Sequence, residues 1–316
     1  MERHDGLSAL PAGLRFAATI GVFDGVHRGH QALITRLVDI ARHDGAAAVV
    51  VTFEPHPDSV LRGVDPPLLS DPRETQARLA SLGIAHLVVQ RFDTAFAALS
   101  ATAFVERLAT DRDLVALAMT PESAFGHGRQ GTVAFVRELG GRMGFRVEEV
   151  EPLRLGGAPI SSSRIRAELG AGRLAEAARL LGRRAAVTGT VVRGDGRGRE
   201  LGFLTANLAF AAPVALPPDG IYAVEVGWGG DDPLRPRRHA GGVVSLGVRP
   251  TFGGGARVLE AYLFGLDEDL YGERLRVEFV RRQRGERRFA TVAALIAQMG
   301  RDAARARAIL ASIDRP

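Results

Sequence analysis

Between Arg15 and Val150, short apolar runs alternate with longer segments of helical periodicity, and this alternation limits the fold more than any other feature. The predicted strands are Phe16 to Ile20, Ala46 to Phe53, Ala85 to Gln90, Leu114 to Met119 and Phe145 to Val150. The predicted helices begin after Arg28, Asp71, Ser100 and Thr132. Strands separated by helices imply a doubly wound parallel α/β sheet, which binds ligands beyond the carboxyl ends of its strands. We therefore expect a site in the loops after Ile20, Phe53 and Met119.

The pattern changes after Gly182, where short alternating segments are separated by Gly and Pro. These segments are AAVTGTVV, GIYAVEV, AGGVVSLG, VLEAYLFG and LRVEFV. One amphipathic helix follows, from about Thr291 to Ile313. This order predicts a small antiparallel β-barrel with a C-terminal helix. Two helices, Ser161 to Leu169 and Leu174 to Leu181, are expected to close the first half, so we predict domains at 1–181 and 182–316.

The residue types that are missing restrict the chemistry. The 316-residue chain has no Cys, and all 41 of its basic residues are Arg. Without Cys there are no disulfides, Cys-based zinc sites or thiol nucleophiles. Without Lys there is neither a Walker A lysine nor a Schiff-base lysine for a pyridoxal enzyme. Any phosphate chemistry must use Arg, His, backbone N–H groups and metal.

The net charge of +5 and the high pI raise the possibility of a nucleic-acid partner. The excess of Arg over Asp and Glu lies after Gly182, where anionic nucleotides explain it as well as nucleic acid does. Aromatic residues make up 6% of the chain and are not interleaved with Arg, so we expect no nucleic-acid partner. No apolar run of about 18 residues is present and the N-terminus lacks the order of a secretory signal. We expect a cytoplasmic protein without a membrane partner.

The segment GVFDGVHRGH follows the first predicted strand and opens the first predicted helix. Its glycines let the backbone approach a ligand, and the helix N-terminus offers N–H groups and a positive dipole to phosphate. His27 and His30 are three residues apart, so they project to one side of the turn. Imidazoles at this place suit stabilisation of charge on a transferred phosphoryl group. The alternative is a glycine-rich turn with two solvated histidines.

Three further segments allow two interpretations each. ISSSRIR, Ile160 to Arg166, can cap a helix and point Arg164 at an anion, or it is an ordinary cap with a surface arginine. The loop TFEPHP places His56 after the second strand, either as a site residue or within a rigid proline turn. The loop from Thr120 to Gly131, which contains Arg129, is either a binding loop or a surface connection.

A second group of residues lies in the predicted barrel, in GDGRGRELGFLTANL and VLEAYLFG. Thr205 and Asn207 are two residues apart on an extended strand, so their oxygens point to the same face and could hold a nucleotide-bound Mg²⁺. The alternative is a Thr and an Asn that cap a turn. Glu260 lies in an apolar strand, where a carboxylate is costly unless it is exposed, paired or functional.

The early H-x-G-H with a later S-S-S-R-I-R resembles the nucleotidyltransferase superfamily. The whole series closely resembles the bifunctional riboflavin kinase/FAD synthetase family. It runs through GVFDGVHRGH, TFEPHP, FGHGRQG, SSSRIR, LGFLTANL, GIYAVEV, GVRPTF, LEAYL, DLYG and RGERRF. The resemblance implies an N-terminal FMN adenylyltransferase and a C-terminal flavokinase. Riboflavin and ATP would give FMN, and FMN and ATP would give FAD and pyrophosphate, with Mg²⁺ in both steps.

The resemblance also implies residue roles. The implied catalytic residues are His27, His30 and Arg164 in adenylyl transfer and Glu260 as general base in the kinase. The implied ATP-binding residues are Gly21, Phe23, Asp24, Gly25, Gly29, Ser162, Gly194, Thr205 and Asn207. Thr205 and Asn207 would also hold the metal. The implied flavin-binding residues are Phe125, Gly126, Arg129 and Arg284.

The chain departs from the family pattern at two places. Thr120, Glu122 and Ser123 replace the usual Gly, Asp or Asn, and Phe before the glycine loop, and Leu204 replaces a proline before Thr205. The first change bears on flavin or adenine binding, so a riboflavin kinase with a weakened first domain is one alternative. A flavin-binding module without turnover is the other. The expected ligands are riboflavin, FMN and ATP, and the oligomeric state stays open.

Overall fold

The computed structural model describes residues 1–194, 205–248, 257–266 and 268–313. These residues form two units. The first consists of Met1–Pro66 and Pro72–Ser161, and the second of Pro67–Asp71 and the described residues from Ser162 onward. The domain boundary between Leu181 and Gly182 stays a prediction, since the two units divide at Ser161.

The first unit is a six-stranded parallel sheet with helices. Its strands are β1 Glu2–Asp5, β2 Arg15–Ile20, β3 Ala47–Glu54, β4 His86–Arg91, β5 Asp113–Met119 and β8 Arg146–Glu149. Its helices are α1 Arg28–His43, α2 Pro57–Arg62, α3 Pro72–Ser81, α4 Thr94–Ala97, α5 Ala101–Ala109 and α6 Val133–Met143. The strand order is β1-β4-β3-β2-β5-β8, with all five pairings parallel. The doubly wound α/β fold is confirmed.

Apolar side chains fill both faces of this sheet. Along β3, Val49 and Val51 belong to one buried cluster, whereas Ala48 and Val50 belong to the other. Successive side chains of a strand point to opposite faces, so an uninterrupted apolar run is the pattern of a strand covered on both sides. This is why the runs in the first half of the sequence predict central strands well.

The edge of the sheet was not predicted. Strand β1 is only four residues long, its sequence is ERHD, and three of its residues are exposed. Short, charged edge strands protect a sheet against pairing with another chain, but they carry no apolar signal. Helices α2 and α4 were missed for a related reason, because neither short helix buries a residue completely.

The second unit begins with helices α7 Ser162–Gly170 and α8 Leu174–Leu181. The barrel strands are β11 Ala186–Val192, β12 Thr205–Ala209, β13 Gly220–Trp228, β14 Arg238–Val248, β15 Arg257–Leu263 and β16 Arg274–Arg284. They close in the order β11-β12-β15-β14-β13-β16, with every pairing antiparallel. Helix α9, Val292–Ala311, follows. The barrel with a C-terminal helix is confirmed.

Four two-residue strands complete the described strands: β6 Ala124–Phe125, β7 Gly131–Thr132, β9 Arg154–Leu155 and β10 Ala158–Pro159. The segment Pro67–Asp71 belongs to the second unit although it comes from the first half of the chain. Leu68 forms a parallel bridge with Val214, and Asp71 forms an ion pair with Arg274 at 2.5 Å. Local sequence patterns do not predict that this segment joins the second unit, because its placement depends on pairing between distant residues.

Within the part of the chain that the structure describes, no helix combines the length and the apolar composition needed to cross a membrane.

Candidate active sites

The turn between β2 and α1 has an unusual backbone. Gly25 lies at φ 80°, in the left-handed region where glycine is favoured, and Val26 follows at φ 37°. Val26 is 1% exposed, so packing holds this β-branched residue in a sparsely populated conformation. Such backbone strain is concentrated at functional sites. Gly25 is thus required by the turn itself.

His27 is buried and has a structural role. Its side chain is 3% exposed, and its Nδ1 accepts the N–H of His30 at 3.2 Å, which caps the N-terminus of α1. A side chain at Gly29 would lie 3.2 Å from the His27 ring and 3.1 Å from the Ile160 carbonyl oxygen, so glycine leaves room for the ring. The alternative of two solvated histidines is therefore wrong for His27.

The two imidazoles are stacked. The ring centroids of His27 and His30 are 3.6 Å apart and the planes are 18° from parallel. Burial, and secondly the neighbouring His27, lower the pKa of His30 well below its ordinary value. The buried Nδ1 of His30 has no hydrogen-bond partner among the described residues. His30 is therefore a neutral imidazole with one unused ring nitrogen near neutral pH.

Three other predicted ATP-binding residues lie in the same turn. Phe23 is 3% exposed and its ring centroid is 5.1 Å from that of His30. Asp24 is buried in the short 3₁₀ segment before His27. A Cβ at Gly21 would make only ordinary contact with Phe23, at 3.7 Å, so crowding does not require glycine there. Their contacts with ATP stay predictions.

Ser162 and Arg164 lie in α7 and belong to the second unit. The Nη2 atom of Arg164 is 3.5 Å from Oε1 of Glu176 in α8, and the Arg164 side chain is 24% exposed. The assignment of both residues to the ATP site stays a prediction.

The predicted flavin loop is held closely against α5. A Cβ at Gly126, which lies at φ 75°, would be 2.5 Å from the backbone nitrogen of Ala101, so only glycine fits. Arg129 lies at φ 57°, and its Nη2 donates to the Glu122 carbonyl oxygen at 3.1 Å. The loop therefore has a defined shape, while its contact with flavin stays a prediction.

The residues that depart from the family pattern close the turn before this loop. The hydroxyl oxygens of Thr120 and Ser123 are 2.9 Å apart, and the Ser123 Oγ also accepts the N–H of Thr120 at 3.0 Å. Hydroxyl side chains commonly fix turns through such local hydrogen bonds. Thr120 and Ser123 therefore stabilise the turn through hydrogen bonds, at a place where the family pattern has an aromatic residue.

A connected series of phenylalanines reaches this loop, and sequence reasoning missed most of it. Successive ring centroids of Phe53, Phe92, Phe96, Phe104 and Phe125 are 5.1–5.9 Å apart. Phe125 is only half-buried, at the end of the series. A face of aromatic rings suits an isoalloxazine or a purine. Their spacing along the chain is irregular, so only the fold brings them together.

His56 has a structural role at the start of α2. Its Nδ1 accepts the N–H of Asp58 at 3.1 Å and so caps this helix, with Pro57 at the first helical position. The proline turn predicted for TFEPHP is therefore present. A contact between His56 and a ligand stays a prediction.

The predicted kinase residues meet on two neighbouring strands of the barrel. Asn207 of β12 pairs in register with Glu260 of β15, and the Thr205 Oγ1 donates to the Glu260 Oε1 at 2.6 Å. All three side chains are half-buried. The alternative in which Thr205 and Asn207 cap a turn is wrong, since both lie within β12.

Gly194 has a packing role next to Asn207. A Cβ built on Gly194 would overlap the side-chain amide of Asn207, so any larger residue would displace that amide. The glycine therefore makes room for the Asn207 side chain that the sequence predicts as a metal and ATP ligand. Leu204, the position of the missing proline, lies outside the described residues.

A pocket opens beside Thr205. Its lining is mixed: Val191, Ala261 and Leu270 are apolar, whereas Glu268 and Asp269 add carboxylates beside Tyr271. Tyr271 is 50% exposed, and the Arg193 guanidinium lies 5.7 Å from the centre of its ring. Sequence reasoning did not include Tyr271, although it lies within the DLYG motif.

Arg284 is tied to the C-terminal helix. Its Nη2 is 2.6 Å from the Asp302 Oδ2, and both side chains are nearly buried. The guanidinium also lies 5.9 Å from the centre of the Phe289 ring. The pair joins β16 to α9, and a role for Arg284 toward flavin stays a prediction.

Two family models match the chain. The family described as FAD synthetase matches residues 13–164, and the family described as riboflavin kinase matches residues 181–310. The "Bifunctional riboflavin kinase/FMN adenylyltransferase" of Escherichia coli strain K12 is 38% identical over 291 residues, which cover 92% of this chain and 91% of that protein. The chain belongs to this bifunctional family. The resemblance inferred from the motifs is thus confirmed.

Other relatives agree over a similar length. The protein of the same name from Pseudomonas fluorescens is 36% identical over 93% of both chains. The one from Listeria monocytogenes is 34% identical over 93% of this chain and 92% of that protein. A solved structure titled "Crystal Structure of Macrolide-efflux Protein from Streptococcus pneumoniae" matches with a TM-score of 0.83 and 28% identity, covering 95% of this chain and 96% of that one. The paired fold of the bifunctional family therefore extends over nearly the whole chain.

Proposed function

We propose that this protein makes both flavin cofactors. It phosphorylates riboflavin with ATP to give FMN, and it adenylylates FMN with a second ATP to give FAD and pyrophosphate. One observation carries the proposal: each unit has its own set of reactive side chains, and each set lies within the matching family segment. These sets are the stacked imidazoles of His27 and His30 and the Thr205–Glu260 pair.

In adenylyl transfer, a phosphate oxygen of FMN attacks the α-phosphorus of ATP. A new P–O bond forms, the bond to the bridging oxygen breaks, and pyrophosphate leaves with that electron pair. No proton must be removed, because the FMN phosphate is already ionised. The N-terminus of α1 supplies N–H groups and a positive dipole, and the buried Nδ1 of His30 is available to a phosphate oxygen.

In the kinase, the terminal ribityl hydroxyl of riboflavin attacks the γ-phosphorus of ATP. The hydroxyl proton passes to the Glu260 carboxylate, the new P–O bond forms and ADP leaves. The hydrogen bond from the Thr205 hydroxyl to the Oε1 of Glu260 orients this carboxylate. Thr205 is thus a positioning residue for the base as well as a candidate ATP ligand.

The donor atoms in the barrel fit Mg²⁺. The Thr205 hydroxyl, the Asn207 amide oxygen and the nearby Glu260 carboxylate are hard oxygen donors, which this ion prefers. Thr205 and Asn207 would hold the ion together with ATP phosphates, and the ion would neutralise phosphate charge when bound. Mg²⁺ is proposed for both reactions, and a cytoplasmic location stays a prediction from the sequence.

The experiment incubates the full chain with riboflavin, ATP and Mg²⁺ and separates the flavins by chromatography. A second incubation supplies FMN in place of riboflavin. We expect FMN and then FAD in the first and FAD in the second. FMN without FAD in both would indicate a kinase with a weakened first domain. Riboflavin that binds and stays unchanged would indicate a binding module and would refute both activities.

A further inference from the structure

Three potential metal ligands converge at the outer edge of the parallel sheet. Glu2 and His4 lie on β1 and His86 begins β4. The two strands are parallel, with Glu2 in register with His86. Residues two apart on a strand share a face, so the pairing places all three side chains on one face of the sheet. The fold itself therefore builds this group.

The three ligand atoms are close enough to surround one ion. The His4 Nε2 is 3.0 Å from the His86 Nδ1, and the Glu2 Oε2 is 3.8 Å from the first and 3.3 Å from the second. Atoms at these separations have a common centre about 2.0 Å from each, which is the length of a zinc–nitrogen or zinc–oxygen bond. The group thus needs little rearrangement to coordinate a metal ion.

The two histidine side chains are largely buried, whereas the glutamate side chain is exposed. Only 11% of the His4 side chain and 14% of the His86 side chain are exposed, whereas 70% of Glu2 is exposed. The rings are 5.2 Å apart and tilted by 37°, so they are not stacked as His27 and His30 are. Two imidazoles are thus held in place, and the exposed side remains open to water and to an arriving ion.

We propose that Glu2, His4 and His86 bind one divalent transition-metal ion, of which Zn²⁺ is the representative. Two imidazoles and one carboxylate suit Zn²⁺, Co²⁺, Ni²⁺ or Cu²⁺, whereas Mg²⁺ and Ca²⁺ prefer oxygen ligands throughout. Three protein ligands leave a position for water. The site is separate from the proposed function and from any Mg²⁺ bound with ATP.

The place of the site in the sheet indicates a structural role. The group lies where β1 and β4 begin, whereas the turn with His27 and His30 follows the carboxyl end of β2. Strand β1 has only four paired residues and one neighbour in the sheet. A metal ion bound to residues of both strands would fasten this edge strand to β4.

The test titrates the metal-free full chain with Zn²⁺ against a chromophoric chelator, with excess Mg²⁺ present to occupy oxygen-ligand sites. We expect one Zn²⁺ per chain, and a loss of affinity of at least about tenfold in both His4→Gln and His86→Gln, since each loses an imidazole ligand. The control His43→Gln removes an exposed histidine at the end of α1 and should bind as the parent does. Zn²⁺ should also slow hydrogen exchange in β1 of the parent and of the control, but not in His4→Gln or His86→Gln.

Each other outcome overturns the site. Unchanged Zn²⁺ affinity in a folded His4→Gln would show that the two imidazoles only share a hydrogen bond. Loss of Zn²⁺ binding in His30→Gln instead would place the ion at the stacked pair. Should His86→Gln fail to fold by circular dichroism, His4→Gln at the sheet edge decides the question. FMN and FAD synthesis by His4→Gln without Zn²⁺ should equal that of the parent, so failure of the proposed function is scored separately.

Discussion

The two candidate sites are built in different ways. In the first unit, His27 and His30 lie at a turn and a helix N-terminus, where backbone N–H groups and a dipole accompany the side chains. In the barrel, Thr205, Asn207 and Glu260 lie within strands and meet through cross-strand pairing. In the proposed adenylyl transfer, several hydrogen-bond donors can stabilise the phosphate charge. In the proposed kinase reaction, proton removal depends on the single carboxylate of Glu260.

This difference sets the order of the expected effects. Removal of one donor from a site with several leaves the others in place, so the loss is limited. Removal of the proposed base from the barrel removes the group that would take the proton. Removal of the base from the barrel should therefore cost the kinase more than removal of one imidazole costs the adenylyltransferase.

The largest effect is expected for Glu260→Gln. Glutamine keeps the size of the side chain and a hydrogen-bond acceptor but cannot take the ribityl proton. Riboflavin phosphorylation should fall by about 10²–10⁴-fold in kcat, the range for loss of a general acid or base. Binding of riboflavin, measured by quenching of flavin fluorescence, should stay close to that of the parent.

Two controls belong to that variant. Glu273→Gln changes an exposed carboxylate immediately before β16 and should leave both activities unchanged. Adenylylation of supplied FMN by Glu260→Gln should continue, because His27 and His30 lie in the other unit and no hydroxyl proton is removed in that step. Parental kinase turnover would contradict the role of Glu260 as base, and a fall in both activities would mean damage to the fold.

A smaller effect is expected for His30→Ala. The imidazole proposed to contact phosphate is lost, but the N–H groups of α1 and His27 remain. FAD formation from FMN should fall by about 10²-fold, the scale for loss of one preorganised donor. FMN formation should hardly change, and His43→Ala on the same helix is the matched control. Equal losses in both products from a folded variant would indicate a structural role for His30.

Thr205 offers a test of positioning within the barrel. Thr205→Val keeps the shape of the side chain but removes the hydroxyl that donates to Glu260. We expect a loss of about tenfold in kinase kcat, the equivalent of one hydrogen bond to a charged group. Thr205→Ser, which restores the hydroxyl, should recover most of this loss. A serine variant as slow as the valine variant would exclude the hydrogen bond as the cause.

Local sequence patterns predicted the strands and turns that a single short segment of the chain determines. The run at Ala47–Glu54 and the glycines before α1 identify a buried strand and a phosphate-type turn by themselves. The hydrogen bond between Thr205 and Glu260 depends on strand register, as does the pairing of β1 with β4. The phenylalanine series from Phe53 to Phe125 likewise appears only when the chain is folded. What sequence reasoning missed is contact between residues far apart in the chain.

The smallest expected effect is on the pH dependence of the free energy of unfolding, and it should differ between the two units. Burial lowers the pKa of His30 in the folded protein, whereas an unfolded chain has the ordinary value near 6.5. Above that value the imidazole is neutral in both states and the free energy of unfolding does not depend on it. As the pH falls below about 6.5, the unfolded state binds the extra proton, so the folded state loses at most about 1.4 kcal/mol per pH unit.

The positions of the aromatic chromophores allow the loss of stability to be measured for each unit separately. The single Trp228 and all three tyrosines, Tyr222, Tyr262 and Tyr271, lie in the barrel unit. Fluorescence therefore follows unfolding of the barrel, whereas far-ultraviolet circular dichroism follows both units. We expect acidification from pH 7.5 to 5.5 to destabilise the parent more than His30→Gln in the dichroism transition of the first unit. The fluorescence transition should shift equally in both proteins. An equal acid sensitivity of the dichroism transitions would mean that His30 accepts a proton in the folded state, and the stacked imidazoles would then form a cationic site before any phosphate arrives.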